Sequence, residues 1–324
     1  MTEETNYTRD DFTNKNEVRW CPGCGDYAIL AAFQRLLPQL GLAPEQHVVV
    51  SGIGCAGRFP YYMNTYGFHT IHGRATAVAT GLKAMRDDLC VWVVTGDGDA
   101  LSIGGNHLIH CLRRNVNVKI LLVNNQVYGL TKGQFSPTSP KGQITKTSPD
   151  GVAVEPMNPL TLALASGASF VARAVDKDPN HLASVIKAAY EHQGCALVEI
   201  YQDCHIFNDG AFDAFTLKAN RPENTVVLEN GKPLVYGAEN QWALAREDEN
   251  LRRVPSTADD VLCHDTSNFL AAMRLATLQF PDFPVPLGIY YQKPRAMFNL
   301  QGKVNKTIDD LPGLFRTKAS WQQA

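Results

Sequence analysis

Two cysteines three apart in WCPGCGD, Cys21 and Cys24, and two isolated ones, Cys55 and Cys204, are the residues best suited to chemistry. A Cys-x-x-Cys pair serves as a zinc knuckle, a redox dithiol or half of an iron–sulfur site. Zinc ribbons bring two close pairs and dithiol motifs need no further cysteine. Four thiols gathered from separate segments therefore favour a cubane cluster over zinc, with zinc kept as the alternative. A second constellation is built of oxygen. TGDGDALSIGG (95–105) sets Asp97 between Gly96 and Gly98, and VNNQ (123–126) follows with 27 residues between Asp97 and Asn125. A carboxylate, an amide oxygen and a nearby backbone carbonyl make a hard donor set suited to Mg²⁺ on a diphosphate. The glycines let the backbone approach a ligand, and the helix that follows offers amide groups to an anion. Taken alone, GDG is equally a tight strand-to-helix turn. No P-loop and no nicotinamide fingerprint opening an N-terminal βαβ unit is present, which argues against those phosphate sites.

The elements that must position these groups follow from the hydrophobic pattern. Helical spacing runs from Asp26 to Gly41, from Arg74 to Asp88, from about Ala100 to Arg114, and over 160–168, 181–193 and about 267–279. Continuous apolar, β-branched runs predict strands in HVVVSGIGC (47–55), LCVWVVTGDGD (89–99), VKILLVNNQ (118–126), VARAV (171–175) and ALVEIYQDC (196–204). Alternating strands and helices of this kind predict an α/β fold with a parallel sheet flanked by helices on both faces. SGIGC, TGDGD, VNNQ and YQDC all fall at carboxyl ends of strands, where open parallel sheets bind ligands. The polar stretch 131–151 is too long for a simple connection and reads as a lid or binding loop. Three segments are expected: a polar arm (1–19), the ligand-binding α/β domain (20–214) and a mixed C-terminal extension (215–324) packing on the core or a partner. Within the extension Asn230–Gly231 marks a hairpin, and a Pro-punctuated stretch (280–288) and a polar tail follow.

Bulk properties narrow the functional classes. The 324 residues carry 30 Lys and Arg against 32 Asp and Glu, a balance that advertises neither nucleic acid nor an anionic membrane. No apolar run is long enough to span a bilayer, and MTEETNYTRDDF is too polar for a signal peptide, so a soluble, cytoplasmic protein is expected. Eight cysteines in a chain of this length read as metal or redox ligands rather than a disulfide framework. Cys90, Cys111, Cys195 and Cys263 lie within strand or helix patterns and are expected to be core thiols.

CPGCGD, SGIGC, HTIHGRA, GDGDALSIGGNHLIH, NNQVYGLTKGQ and YQDC occur in order between about 20 and 215. In these motifs the chain resembles the β subunit of 2-oxoacid:ferredoxin oxidoreductases, and IGCAGRFPYYMNTYGFHTIHGRA is most similar to the branch acting on 2-oxoglutarate. The resemblance implies a thiamine diphosphate-binding fold, of which this chain holds the diphosphate half. It implies Cys21, Cys24, Cys55 and Cys204 as ligands of a [4Fe–4S] cluster. Asp97, Asn125 and the carbonyl of Val127 would bind Mg²⁺, while Gly96, Gly98, Asp99 and Thr131 would lie against the diphosphate. It further implies an α subunit, a dimer of αβ heterodimers, coenzyme A as co-substrate and ferredoxin as electron acceptor. The reaction would convert 2-oxoglutarate to succinyl-CoA and CO₂, or run in reverse.

Thiamine diphosphate also needs a glutamate beside its aminopyrimidine. Glu199 sits within a strand pattern, and Glu17, Glu45 and Glu191 in arms or helix edges, so the α subunit is expected to supply it. Arg58, three residues past Cys55, is a candidate for pairing a substrate carboxylate, against the alternative of an ordinary ion pair. His72 and Arg74 are candidates for contacting cofactor or substrate, against a structural role at a helix start. His107 and His110 read as packing residues. Three alternatives stay open: another 2-oxoacid such as pyruvate, a non-redox thiamine diphosphate decarboxylase or synthase with a structural zinc, and a non-catalytic metal-binding subunit.

Overall fold

The computed structural model describes residues 6–298, so the polar tail lies outside the described residues. Six strands form a parallel sheet: β1 (His47–Ser51), β2 (Tyr66–His69), β3 (Cys90–Gly96), β4 (Val118–Asn124), β5 (Phe170–Val175) and β6 (Ala196–Tyr201). Their order is β5-β6-β4-β3-β1-β2. Five of them are the apolar runs of the sequence. A strand covered on both faces can be apolar at every position, and successive residues then enter opposite cores. Val48, Val50, Val91, Val93, Ile120 and Leu122 enter one core. It is closed by α2 (Ala75–Met85), α3 (Gly105–Arg114) and α4 (Pro159–Ala165). Val49, Trp92, Val94, Leu121 and Val123 enter the other, against Ile29 and Phe33 of α1 (Asp26–Leu36) and Leu182 and Ile186 of α5 (Pro179–Glu191).

Several boundaries differ from the sequence reading. The stretch from Ala100 to Arg114 is two pieces, a helical turn at Asp99–Ile103 with non-helical backbone at Ser102, then α3. Helix α4 stops at Ala165 because Gly167 turns the chain at φ +77. Strand β2, YGFH, has no counterpart in the expected elements: it is an exposed edge strand without the apolar run that marked the others. The N-terminal arm is anchored by the buried Phe12 and by Asn14 and Asn16, whose side-chain amides donate to the Tyr61 carbonyl.

Beyond two short helices, α6 (Asp213–Thr216) and α7 (Arg221–Asn224), the C-terminal strands continue the same sheet: β7 (Thr225–Leu228), β8 (Val235–Tyr236), β9 (Trp242–Glu247) and β10 (Asn250–Pro255). The hairpin expected around Asn230–Gly231 joins β7 to β8, antiparallel. After α8 (Phe269–Thr277), the Pro-punctuated stretch yields β11 (Val285–Gln292), which inserts between β7 and β5. Its first residues, Pro286 among them, pair parallel with β7, and Gly288 onwards pairs antiparallel with β5, so Pro286 has no partner in β5. No helix among the described residues is long and apolar enough to cross a membrane.

Candidate functional site

Strands β3, β4 and β1 end at one cleft. It is lined by Gly96 at the end of β3 and Asp97, Gly98 and Asp99 after it, by Asn125, Val127 and Thr131 after β4, and by Cys55 and His72. Asp97 is buried, and burial raises its carboxyl to about pKa 6 against the hydrogen bonds that oppose the rise. Its Oδ2 accepts from the hydroxyls of Ser136 and Thr138, each at 2.5 Å. Both belong to the long polar stretch after β4, so that loop returns its hydroxyls to the carboxylate. Asn125 Oδ1 accepts from the Val127 amide at 3.2 Å while its Nδ2 donates to Gln202. Gln126 between them takes φ +57, the left-handed region, to make this turn. Gly98 is a close approach in the strict sense, because a Cβ there would lie 2.2 Å from the Tyr128 ring, whose hydroxyl donates to the Gly98 carbonyl.

Asp99 borders the cleft with its carboxylate already engaged. Oδ1 accepts from the amides of Ile53 and Gly73 and meets His72 Nδ1 at 2.6 Å, and Oδ2 accepts from Thr95. It therefore ties the chain beyond β1, β2 and β3 together, while still lining the cleft in which the resemblance sets it against the diphosphate. Arg74 does not line the cleft. Its guanidinium donates to the carbonyls of His72, Gly73 and Ile103, tying the turn before α2 to the end of the Asp99 turn.

A second cavity, of ≈ 250 Å³, adjoins the first and is lined by Cys21, Cys24, Cys55 and Cys204, with Arg58, Lys132, Gln202 and His205. Cys55, Asn125, Gly129 and Leu130 line both. Arg58 thus stands on the cysteine side, where one guanidinium nitrogen donates to the Arg19 carbonyl at 2.8 Å. Burial pushes the Cys55 thiol up to about 12, the Asp26 carboxylate adding to the rise, and burial raises Cys24 and Cys204 as well. Thiolates at these positions need cationic charge beside them. Asp26 itself is buried with Oδ1 lacking a hydrogen-bond partner.

Tetrahedral zinc at a Zn–S distance of about 2.3 Å holds its sulfurs roughly 3.8 Å apart. Among the described residues the group of three or more Cys, His, Asp or Glu donors within 4.8 Å is Asp203, His205 and Asp209, so no three of the four sulfurs are that close. Four sulfurs lining one cavity are a donor set that either an iron–sulfur cluster or a zinc ion would use. The other cysteines divide: Cys111 and Cys195 are buried with their sulfurs 3.9 Å apart, Cys90 is half-buried, and Cys263 is exposed rather than in the core. His107 is half-buried and His110 exposed on α3, so the expected packing role does not extend to His110. Glu199 is fully buried and paired with Arg173, and Glu17, Glu45 and Glu191 are exposed; none lines the cleft.

Sequence reasoning missed Ser136, Thr138 and Ser139. SPTSP within the long loop was the signal available, but nothing in it points to Asp97. Ser139 donates to the Gln126 carbonyl and accepts from the Ser136 amide, so the loop braces the turn it covers.

Residues 52–200 match the family described as thiamine pyrophosphate enzyme, C-terminal TPP binding domain. Over 259 residues the chain is 57% identical to the 2-oxoglutarate oxidoreductase subunit KorB of Mycobacterium tuberculosis, covering 79% of this chain and 69% of that protein. The chain belongs to the 2-oxoacid oxidoreductase β-subunit family. The β subunit of 2-oxoacid:ferredoxin oxidoreductase 1 from Aeropyrum pernix is 50% identical over 190 residues, which span 59% of this chain and 60% of that one. The fold matches a solved 2-oxoglutarate:ferredoxin oxidoreductase from Magnetococcus marinus, with 2-oxoglutarate, coenzyme A and succinyl-CoA bound, at a TM-score of 0.75 and 37% identity. That match covers 92% of this chain and 89% of the other. The family implied by the motifs and the α/β fold implied by the periodicity are both those found.

Proposed function

We propose that this chain is the β subunit of a CoA-dependent 2-oxoglutarate:ferredoxin oxidoreductase, which with an α subunit interconverts 2-oxoglutarate and CoA with succinyl-CoA and CO₂. The observation that carries the reading is the shared wall between the two cavities. Cys55, Asn125, Gly129 and Leu130 border both the oxygen-lined cleft and the four cysteines, so a group reacting in the first is adjacent to an electron exit in the second. Thiamine diphosphate supplies an electron sink for the carbon–carbon bond broken in decarboxylation, and an iron–sulfur cluster takes electrons singly.

The chain's own residues bind and orient. Asp97, Asn125 and the Val127 carbonyl hold Mg²⁺, with Ser136 and Thr138 aiming the Asp97 carboxylate. Gly96 and Gly98 let the backbone approach the diphosphate, with Thr131 beside it, and the Asp99 clamp holds His72 and Ile53 in the wall. Cys21, Cys24, Cys55 and Cys204 hold a [4Fe–4S] cluster, and Gln202 donates to Cys24 Sγ at 3.3 Å. Arg58 pairs the distal carboxylate of the 2-oxoacid. The α subunit brings the pyrimidine-half glutamate and the CoA site, ferredoxin accepts the electrons, and the assembly is a cytoplasmic dimer of αβ heterodimers.

Iron, acid-labile sulfide and zinc are to be measured on the anaerobically purified αβ complex, with an EPR spectrum after dithionite. About four irons and four sulfides per chain and a reduced-cluster signal are expected. Stoichiometric zinc without sulfide would refute the electron exit and leave a non-redox decarboxylase.

A further inference from the structure

A line of buried polar groups links the cofactor cleft to the C-terminal strand β11. Asn124, the last residue of β4, donates from Nδ2 to Glu199 Oε1 at 2.7 Å. Glu199 Oε2 accepts from Arg173 Nε at 2.7 Å, and Arg173 Nη1 donates to the Tyr290 hydroxyl at 2.8 Å. Tyr290 in turn donates to the Pro286 carbonyl at 2.6 Å. Arg173 is sandwiched between aromatic faces, its guanidinium 4.9 Å from the Tyr201 ring centroid and 5.4 Å from that of Tyr290. Asn124, Glu199, Arg173 and Tyr290 are all buried.

At its other end the line reaches the cleft. Asn124 Oδ1 accepts from the Gln126 amide at 3.2 Å, and Thr138 Oγ1 lies 2.9 Å from it and 2.5 Å from Asp97 Oδ2, so the single Thr138 proton is shared between these two oxygens. A side-chain amide can present its oxygen or its nitrogen in either direction. The Glu199 carboxylate only accepts, so it takes the nitrogen and turns the oxygen toward Gln126 and Thr138. That oxygen supports the left-handed turn at Gln126, and the turn sets Asn125 and the Val127 carbonyl. A carboxylate buried this deeply is retained because Arg173 compensates it, and a buried guanidinium needs partners for its remaining N–H groups.

We propose that Arg173, Glu199 and Tyr290 are positioning residues for the Mg²⁺–diphosphate turn, acting through Asn124, so that strand β11 of the C-terminal extension sets cofactor affinity. The proposal rests on the reading of the cleft as the Mg²⁺–diphosphate site. The bland account is a buried ion pair that serves stability alone, and a binding measurement separates the two.

The test uses the αβ complex stripped of cofactor, with Mg²⁺ and thiamine diphosphate binding followed by calorimetry. Four forms are compared: wild type, Asn124→Ala, Tyr290→Phe and the double variant. Tyr290→Phe keeps the ring, its packing and the Arg173–Glu199 ion pair and removes one partner of Arg173 Nη1, whereas Glu199→Gln would leave a buried guanidinium without its counter-charge. Asn124→Ala is expected to weaken Mg²⁺ binding about tenfold, the lower end of what outer-shell groups contribute. Tyr290→Phe is expected to weaken it by about two- to tenfold in the wild-type background. In the Asn124→Ala background it should add nothing. Unchanged affinity in Tyr290→Phe, with only a lower melting temperature, would overturn the proposal, as would fully additive effects in the double variant. A wild-type complex that binds no thiamine diphosphate in the presence of Mg²⁺ would instead overturn the cofactor reading beneath it.

Discussion

Replacing Asp99 separates a clamp from a ligand contact. Its carboxylate serves four donors: the Ile53 amide at 3.0 Å, the Gly73 amide at 2.7 Å, Thr95 Oγ1 at 2.6 Å and His72 Nδ1 at 2.6 Å. The site is tight, since a Cβ on Gly52 would fall 1.9 Å from its Oδ2. His72 is partly exposed and can find water when the carboxylate is removed, but the Gly73 amide and the Thr95 hydroxyl are buried and cannot. Hydrogen bonds to a charged group contribute about 1.5–3 kcal/mol each, so losing the two buried ones predicts a cost of about 3–6 kcal/mol for Asp99→Ala. Asp99→Asn keeps Oδ1 for the two amides and turns a nitrogen toward Thr95, whose hydroxyl can rotate to accept. Its cost should be only about 1–2 kcal/mol. Urea unfolding of cofactor-free protein reads both, as shifts in midpoint at unchanged slope. A cost under about 1 kcal/mol for Asp99→Ala, or an asparagine as damaging as the alanine, would show that the carboxylate does not hold these segments together.

Arg58→Ala should raise the KM for 2-oxoglutarate in viologen-reduction assays of the αβ complex, with iron content unchanged. An unchanged KM would assign Arg58 to the cysteine cavity alone. Burial lowers the His47 pKa from 6.5 to about 4, and its Nδ1 accepts from Trp92 Nε1. The folded form therefore resists the proton that the unfolded chain takes up. The stability associated with neutral His47 is fully present above pH 6.5 and is lost as pH falls toward about 4, by roughly 3 kcal/mol in all. His47→Gln should flatten the urea-midpoint profile across that window, and a wild-type slope in the variant would contradict the assignment.

What could be read in advance follows from how each element is buried. β1, β3, β4 and β6 were legible because a parallel strand covered on both faces needs apolar residues throughout. β2 was not, since YGFH is exposed at all four positions and is held by backbone pairing to β1. The hairpin of β9 and β10 turns at Asp248, φ +50, in a polar stretch that lacked the Asn–Gly signal present at 230–231. β11 was hidden by its prolines, which argue against a central strand until it is known that Pro286 lies beyond the β5 pairing.

The candidate donors were determined by sequence alone, because thiols and an oxygen set at strand ends are chemical facts of type and spacing. Cys21, Cys24, Cys55, Cys204, Asp97 and Asn125 all border the two adjoining cavities. Which partners each donor meets was decided only by tertiary structure. Asp99 sits two residues from Asp97 and looks equivalent in the chain, yet the folded β1 and β2 ends bring it amides and a histidine that occupy its carboxylate. Ser136 and Thr138 reach Asp97 across about forty residues, and Tyr290 reaches Arg173 across 117. Such contacts depend on where a loop returns and on which strand is inserted beside which, and neither local propensity nor hydrophobic period carries that information.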